Sequence, residues 1–171
     1  MFNSIEDIKK AGFKGFKTIQ ELLNDSKVIP NVKGIYMILI SSSEKPIFIN
    51  PGTGPTLYKK KTNPNVNVKE LEMNWVDKTI VIYIGKAGGY KDDGTEMDAT
   101  LKSRLYTYLR FGKGKDVRHY GGRYIWQLEN SKKLVVCWKT LPNDNPKSFE
   151  SNLIQKFNTI YKKRPFANLT D

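Results

Sequence analysis

Cysteine and histidine are almost absent from this chain, which has one residue of each type among 171. The single cysteine, Cys137, excludes an intramolecular disulfide, and the scarcity of both residue types excludes a Cys-rich or His-rich zinc site. Any metal ion must therefore be held mainly by carboxylate, carbonyl and water oxygens. A lone thiol also suits a reducing compartment, so we expect a cytoplasmic protein.

Long apolar runs are missing as well. The longest, Ile35 to Ile40, is far too short to span a bilayer, and the N-terminal residues include early acids where a signal peptide has an apolar segment. We therefore expect no membrane partner. The chain length predicts a single domain, and an apolar content of 39% suffices for a packed core.

Negative charge is scarce relative to positive charge. Seventeen Asp and Glu residues face 29 Lys and Arg residues, which gives a net charge of +12. Such an excess favours a polyanionic partner, because each neutralised phosphate releases a counterion, although an ordinary basic surface is the alternative. The basic residues are spread along the chain and not gathered on one amphipathic helix, so an anionic membrane surface is a less favoured partner.

Helix and strand signals alternate along the chain in a pattern typical of an α/β (α+β) domain. Two short helices are predicted within residues 1–30, an N-terminal helical extension in which Thr18 opens a capping box. Apolar runs predict buried strands at 34–40, 79–85 and 134–138. The sheet should therefore form after the helical extension.

Three further segments complete the predicted organisation. Residues 41–78 are irregular and rich in proline and glycine, which indicates a long insertion between the first two predicted strands. A helix should begin near Asp98, which can cap it, and end at Gly112. A last helix should begin at Asn145-Pro146, a cap followed by a proline in the first turn.

Two tripeptides, Gly34-Ile35-Tyr36 and Tyr83-Ile84-Gly85, each lie on a predicted strand. Either one alone is uninformative, because aromatic and β-branched residues are ordinary strand material. Three features then follow in order: Arg104 in the next helix, Glu150 in the terminal helix, and Pro165-Phe166-Ala167-Asn168 near the end. This series resembles the GIY-YIG nuclease family from Gly34 to Asn168.

The resemblance implies a fold and a reaction. The expected fold is a small three-stranded antiparallel sheet flanked by helices, within a single domain that covers residues 1–171. The expected activity is metal-dependent hydrolysis of DNA phosphodiester bonds, with Mg²⁺ or Mn²⁺ as the cofactor. The expected partner is DNA, double-stranded by preference, although the sequence itself does not distinguish duplexes from single strands or RNA. It leaves the oligomeric state and the recognition sequence open.

The resemblance also implies roles for residues of both motifs and for Lys86, directly after the second. Tyr36 would activate or position the attacking water, Tyr83 would hydrogen-bond near the scissile phosphate, and Lys86 would lie close to the same site. A free tyrosine, with a pKa near 10, is a poor base at neutral pH. Tyr36 therefore needs cationic neighbours that lower its pKa, and Lys86, Arg104 and the metal ion are the candidates.

The remaining implied site residues each have a plainer alternative. Arg104 would contact the phosphate through its planar guanidinium, or it is a solvated helix charge. Glu150 would bind the metal ion, or it pairs with a lysine of its own helix. Asn168 would support the geometry of the site, or it caps a turn. His119 does not align with the family's motifs, so catalysis, nucleic-acid contact and no role at all stay open.

Basic residues outside the motifs are candidates for binding nucleic acid. They are Lys59, Lys60 and Lys61 in the insertion, and Lys113, Lys115, Arg118 and Arg123 in the loop after the predicted 98–112 helix. Family members usually join the two tripeptides by a short hairpin, so the insertion departs from the family. It is either a DNA-contacting element or a surface excursion that packs Trp75 against the domain.

The leading functional hypothesis is an endonuclease, and a compact restriction or defence enzyme is the favoured role, because the chain lacks an obvious second DNA-binding domain. The alternative is a non-catalytic nucleic-acid-binding module that kept a nuclease-like fold. A third hypothesis is an interaction protein whose basic face is incidental. The intact set Tyr36, Tyr83, Arg104 and Glu150 favours the enzyme.

Overall fold

Four strands form one antiparallel sheet in the computed structural model, which describes residues 2–41, 45–57, 62–90, 93–117, 119 and 121–169. They are β1 (Lys14–Thr18), β2 (Gly34–Leu39), β3 (Val81–Ala87) and β4 (Val135–Thr140). Their order across the sheet is β1-β4-β2-β3, so β2 is central and β3 is an edge strand. The antiparallel sheet flanked by helices is confirmed, but the prediction of three strands is wrong.

The extra strand, β1, lies inside the segment that the sequence predicted to be a helical extension. It pairs with β4 through backbone hydrogen bonds, with an irregularity between Lys14 and Lys17. Gly15 has a φ of 94°, and a Cβ there would lie 2.6 Å from the Trp138 ring. An edge strand with two lysines and a glycine carries no alternating apolar pattern, so periodicity could not reveal it.

Five α-helices flank the sheet in the described part of the chain. They are α1 (Ile5–Lys10), α2 (Ile19–Asn24), α3 (Val68–Asn74), α4 (Leu101–Gly112) and α5 (Pro146–Tyr161). Short 3₁₀ helices occupy Arg123–Gln127 and Ser131–Lys133. α5 is the longest at 16 residues, and no helix among the described residues is long and apolar enough to cross a membrane.

Side-chain caps explain where these helices begin. The predicted capping box at Thr18 is confirmed, as is the cap at Asn145 followed by Pro146. The predicted cap at Asp98 is wrong, because Thr100 and Ser103 form the reciprocal hydrogen bonds that start α4. The predicted end of that helix at Gly112 is confirmed.

The sheet separates two apolar cores. On the side that we call the α4 face, Tyr36 and Ile38 of β2 pack with Leu101, Leu105 and Tyr108 of α4. On the opposite side, the α5 face, the alternate β2 residues pack with apolar residues of α1 and α5. These are Ile35, Met37, Leu39, Ile8, Leu153, Ile154 and Phe157. All six residues of β2 are buried because the strand is covered on both sides.

The described part of the insertion packs against the domain. The Trp75 ring lies 5.1 Å from that of Phe166 and 5.9 Å from that of Phe48. The Gln127 side chain accepts a hydrogen bond from Val66 N and donates to the carbonyls of Ile49 and Val66. These contacts support the packing interpretation of the insertion. Lys59, Lys60 and Lys61 lie outside the described residues.

Candidate active site

Five of the predicted site residues line one cleft of about 320 Å³. They are Tyr83, Lys86, Arg104, Glu150 and Asn168. Two come from β3, and the others come from α4, α5 and the C-terminal segment. The antiparallel pairing of β2 with β3 also places Tyr36 opposite Gly85. A Cβ at Gly85 would lie 2.6 Å from the Tyr36 ring, so the second motif needs its glycine.

Tyr36 and His119 form a buried pair next to Tyr83, whose ring centroid lies 5.8 Å from that of Tyr36. Tyr36 is 0% exposed and His119 is 1% exposed. The Tyr36 hydroxyl lies 3.3 Å from His119 Nε2, and His119 Nδ1 lies 2.8 Å from the Gly121 carbonyl oxygen. Because a carbonyl only accepts, Nδ1 carries the proton and donates it, and Nε2 accepts the hydrogen bond from Tyr36.

Burial keeps His119 neutral. Burial and, to a lesser extent, the nearby Arg104 charge together lower the pKa of His119 to about 3, although the hydrogen bond to Gly121 acts in the opposite direction. The imidazole is therefore uncharged at neutral pH, with Nε2 free to accept a proton. The sequence left three roles open for His119, and the structure brings its side chain to Tyr36.

Burial also governs the two motif tyrosines. It raises the pKa of Tyr36, while the Arg104 charge and hydrogen bonding by Tyr83 lower it. Burial raises the pKa of Tyr83 well above its usual value, and the neighbouring Tyr36 raises it further. The expected cationic help from Arg104 is present at Tyr36, but desolvation outweighs it. Tyr36 therefore needs an acceptor for its proton, and His119 Nε2 is in place.

Glu150 lies in the same cleft under two competing influences. Partial burial raises the pKa of its carboxyl, and the charges of Lys86 and Arg104 lower it. Both cations belong to other elements, β3 and α4. The charges that lower the pKa of Glu150 therefore come from outside α5, whereas the alternative was pairing with a lysine of α5. The carboxylate faces the cleft together with the cations that would bind a phosphate.

One carboxylate is a sparse metal site, yet it suits a hard divalent cation. Among the described residues, no three or more His, Cys, Asp and Glu side chains cluster as a metal site. Mg²⁺ commonly binds one or two carboxylates, keeps several waters and takes substrate phosphate oxygens as ligands. Glu150 would suit such an arrangement, in which water and substrate phosphate would supply the other ligands.

Asn168 acts on the backbone of β3. Its Oδ1 accepts a hydrogen bond from Ile84 N at 2.9 Å, and its Nδ2 donates to Ile84 O at 2.8 Å. Ala167 N adds a bond to Ile82 O at 2.9 Å. The C-terminal segment thus takes the place of a neighbouring strand at the edge of the sheet. It holds the backbone next to Tyr83, and the supporting role of Asn168 in the site stays a prediction.

The three predicted nucleic-acid-binding residues that the structure describes do not line the cleft. Lys113 and Lys115 are exposed beyond the end of α4, and Lys113 lies about 14 Å along the helix axis from Arg104. Arg123 lines a neighbouring groove that shares a wall with the cleft. Arg118 lies outside the described residues.

Tyr108 is a further residue of this region, and it was not among the predicted site residues. Its ring meets the His119 ring edge-on at 4.6 Å and stacks near Tyr83 at 6.4 Å. Its hydroxyl is buried with no hydrogen-bond partner among the described residues. The only signal was its spacing of four residues from Arg104, which places both on neighbouring turns of α4.

No protein-family model matches the chain, and no curated protein or solved structure does so either. The resemblance to the GIY-YIG family therefore rests on the order of the sequence motifs. A site of this composition can bind a phosphate, hold one divalent cation and accept a proton.

Proposed function

We propose that the protein is a metal-dependent DNA endonuclease with a site of the GIY-YIG type. The observation that carries this proposal is the convergence of Tyr83, Lys86, Arg104 and Glu150 on one cleft, with the Tyr36–His119 pair in contact with Tyr83 through the Tyr36 ring. Cations, a carboxylate and a proton acceptor are the groups that phosphodiester hydrolysis requires.

Arg104 and Lys86 bind the scissile phosphate in this proposal. Hydrolysis adds negative charge to the equatorial oxygens and to the leaving oxygen, so fixed positive charges stabilise the transition state. The Arg104 guanidinium offers a planar pair of donors to two phosphate oxygens. Glu150 holds the divalent ion, which supplies Lewis-acid stabilisation of the same charge when bound.

The two tyrosines and His119 handle the proton of the attacking water. Tyr83 lines the cleft, whereas Tyr36 is fully buried behind it. Tyr83 therefore faces the water, and Tyr36 stands between Tyr83 and His119 Nε2. As the water oxygen bonds to phosphorus and the leaving P–O bond breaks, the water proton passes to Tyr83. Tyr83 passes its own proton to Tyr36, and Tyr36 passes one to Nε2.

This route uses a weak base, because the pKa of His119 is lowered to about 3. The low pKa keeps Nε2 unprotonated over the whole neutral range. A phosphate bound beside Arg104 brings negative charge that offsets the guanidinium and raises the pKa of His119 in the complex. The leaving oxygen takes its proton from solvent.

A plasmid-nicking assay tests the proposal. The protein should nick DNA with Mg²⁺ or Mn²⁺ and stop when a chelator is added. Glu150→Gln should keep DNA binding and lose cleavage, and Glu129→Gln, an exposed carboxylate outside the cleft, is the matched control. Cleavage by Glu150→Gln at the wild-type rate would remove Glu150 as the metal ligand. DNA binding without cleavage in either metal would leave a non-catalytic binding module.

A further inference from the structure

A second groove of about 730 Å³ opens next to the catalytic cleft. The two share Gly121, Asn168 and Leu169 as lining residues, so they are adjacent on the surface. One wall of the groove is the end of α3, with Met73 and Asn74. The insertion therefore builds this surface with its folded part.

Positive charge dominates the groove. Arg123, Lys163 and Arg164 line it, while Glu70 contributes the one carboxylate among the described lining residues. That carboxylate accepts a hydrogen bond from the Tyr124 hydroxyl, which turns it toward the protein. A groove with this balance attracts anions, and its charged lining differs from the mostly apolar walls of pockets for small ligands.

The walls of the groove are tied to each other. Lys163 Nζ, from the C-terminal segment, donates to the carbonyl of Met73 in the last turn of α3 at 2.9 Å and to that of Trp75, directly after α3, at 3.3 Å. Beneath them, the Phe166 ring packs on Trp75 at 5.1 Å. A groove that is already formed costs little ordering free energy when a ligand binds.

We propose that this groove binds the phosphodiester backbone of the strand that is cut, on one side of the scissile phosphate. The inference rests on the proposed function, because the cleft defines where the strand begins. A strand that leaves the cleft past Gly121 meets Arg123 and Arg164 next, and its phosphates recur at regular spacing. The insertion thus contributes to substrate binding independently of Lys59 to Lys61.

Neutral methylphosphonate linkages test the groove directly. Each linkage of a DNA oligonucleotide is replaced in turn, and binding is measured with the Glu150→Gln background to prevent cleavage. We expect roughly tenfold weaker binding for a few linkages on one side of the cut only. Arg164→Gln should weaken binding of natural DNA by a similar factor and reduce the log–log salt slope by about one.

The test becomes specific when a protein variant and a modified DNA are combined. In Arg164→Gln, the sensitive methylphosphonate should cause no further loss, because the same contact is already absent. Lys162→Gln, an exposed neighbour outside the groove lining, should keep both the wild-type slope and the methylphosphonate effect. Arg123→Gln provides a second variant within the groove, should Arg164→Gln fail to fold by circular dichroism.

The two proposals fail in different ways. The groove assignment would be overturned, with cleavage intact, by either of two results. Methylphosphonates on both sides of the cut could weaken binding equally, or their loss of binding could add fully to that of Arg164→Gln. A wild-type protein that cuts no DNA with either metal would overturn the endonuclease. In that case, a loss of binding at single methylphosphonate linkages that disappears in Arg164→Gln would still support a strand-binding groove.

Discussion

The two faces of the sheet receive side chains of different polarity from the same strand, β2. On β2, Tyr36 points to the α4 face, where its hydroxyl meets the buried His119, whereas Ile35 and Met37 point to the apolar α5 face. Polar groups cost free energy when they are buried without good partners. Tyr36 and His119 lie on the α4 face, so the proposed proton route uses that face, whereas the described core of the α5 face is apolar and α5 contributes Glu150 to the cleft.

The largest expected effect comes from the hydroxyls of the α4 face. Tyr36→Phe keeps the ring and its packing but interrupts the proton route, so the single-turnover cleavage rate should fall by about 10²–10⁴. Tyr161→Phe removes a hydroxyl that bonds Asn3 near the α5 face and should leave the rate within about twofold. Equal rates for both variants would remove the functional difference between the faces.

The next effect concerns the phosphate contact on α4. Arg104→Ala should slow the chemical step by about 10²–10³, and Arg104→Lys should restore only part of the rate, because an ammonium lacks the planar fork. Arg110→Ala, on the exposed side of the same helix, is the control and should cleave normally. Full activity in Arg104→Lys would reduce Arg104 to a general positive charge.

A pH titration of stability sharpens the comparison further. His119 has a folded-state pKa of about 3, below the ordinary 6.5, so between these values the unfolded chain binds a proton that the folded protein does not. The free energy of unfolding should therefore fall as pH decreases through this window, by up to about 1.4 kcal/mol per pH unit. His119→Asn should remove that part of the slope in urea titrations. An unchanged slope would mean that His119 stays solvated.

The smallest effect belongs to the α5 face. Ile35→Val, one residue before Tyr36, should lower the free energy of unfolding by about 0.5–1.5 kcal/mol and leave the cleavage rate unchanged. Denaturant unfolding and single-turnover cleavage on the same sample measure both quantities. A rate loss as large as that of Tyr36→Phe would mean that the faces are coupled.

Local signals were sufficient where one element carries its own pattern. The Thr18 capping box, the Asn145-Pro146 start of α5 and the apolar run of β2 were all predictable, because each depends on neighbours within a few residues. β1 was missed because its sequence has no such pattern and its pairing partner, β4, lies over a hundred residues away. The start of α4 was predicted too early, because both Asp98 and Thr100 are residue types that cap helices and Thr100 is the one that does so.

The sequence by itself determined which residue types were available: one histidine, an excess of cations, and two motif tyrosines on strands. Only the tertiary structure decided that His119 meets Tyr36, that Asn168 pairs with the β3 backbone, and that the insertion walls a cationic groove. The reason is physical. These contacts join residues more than 40 positions apart, and their geometry and burial arise only when the sheet, α4 and the C-terminal segment pack together.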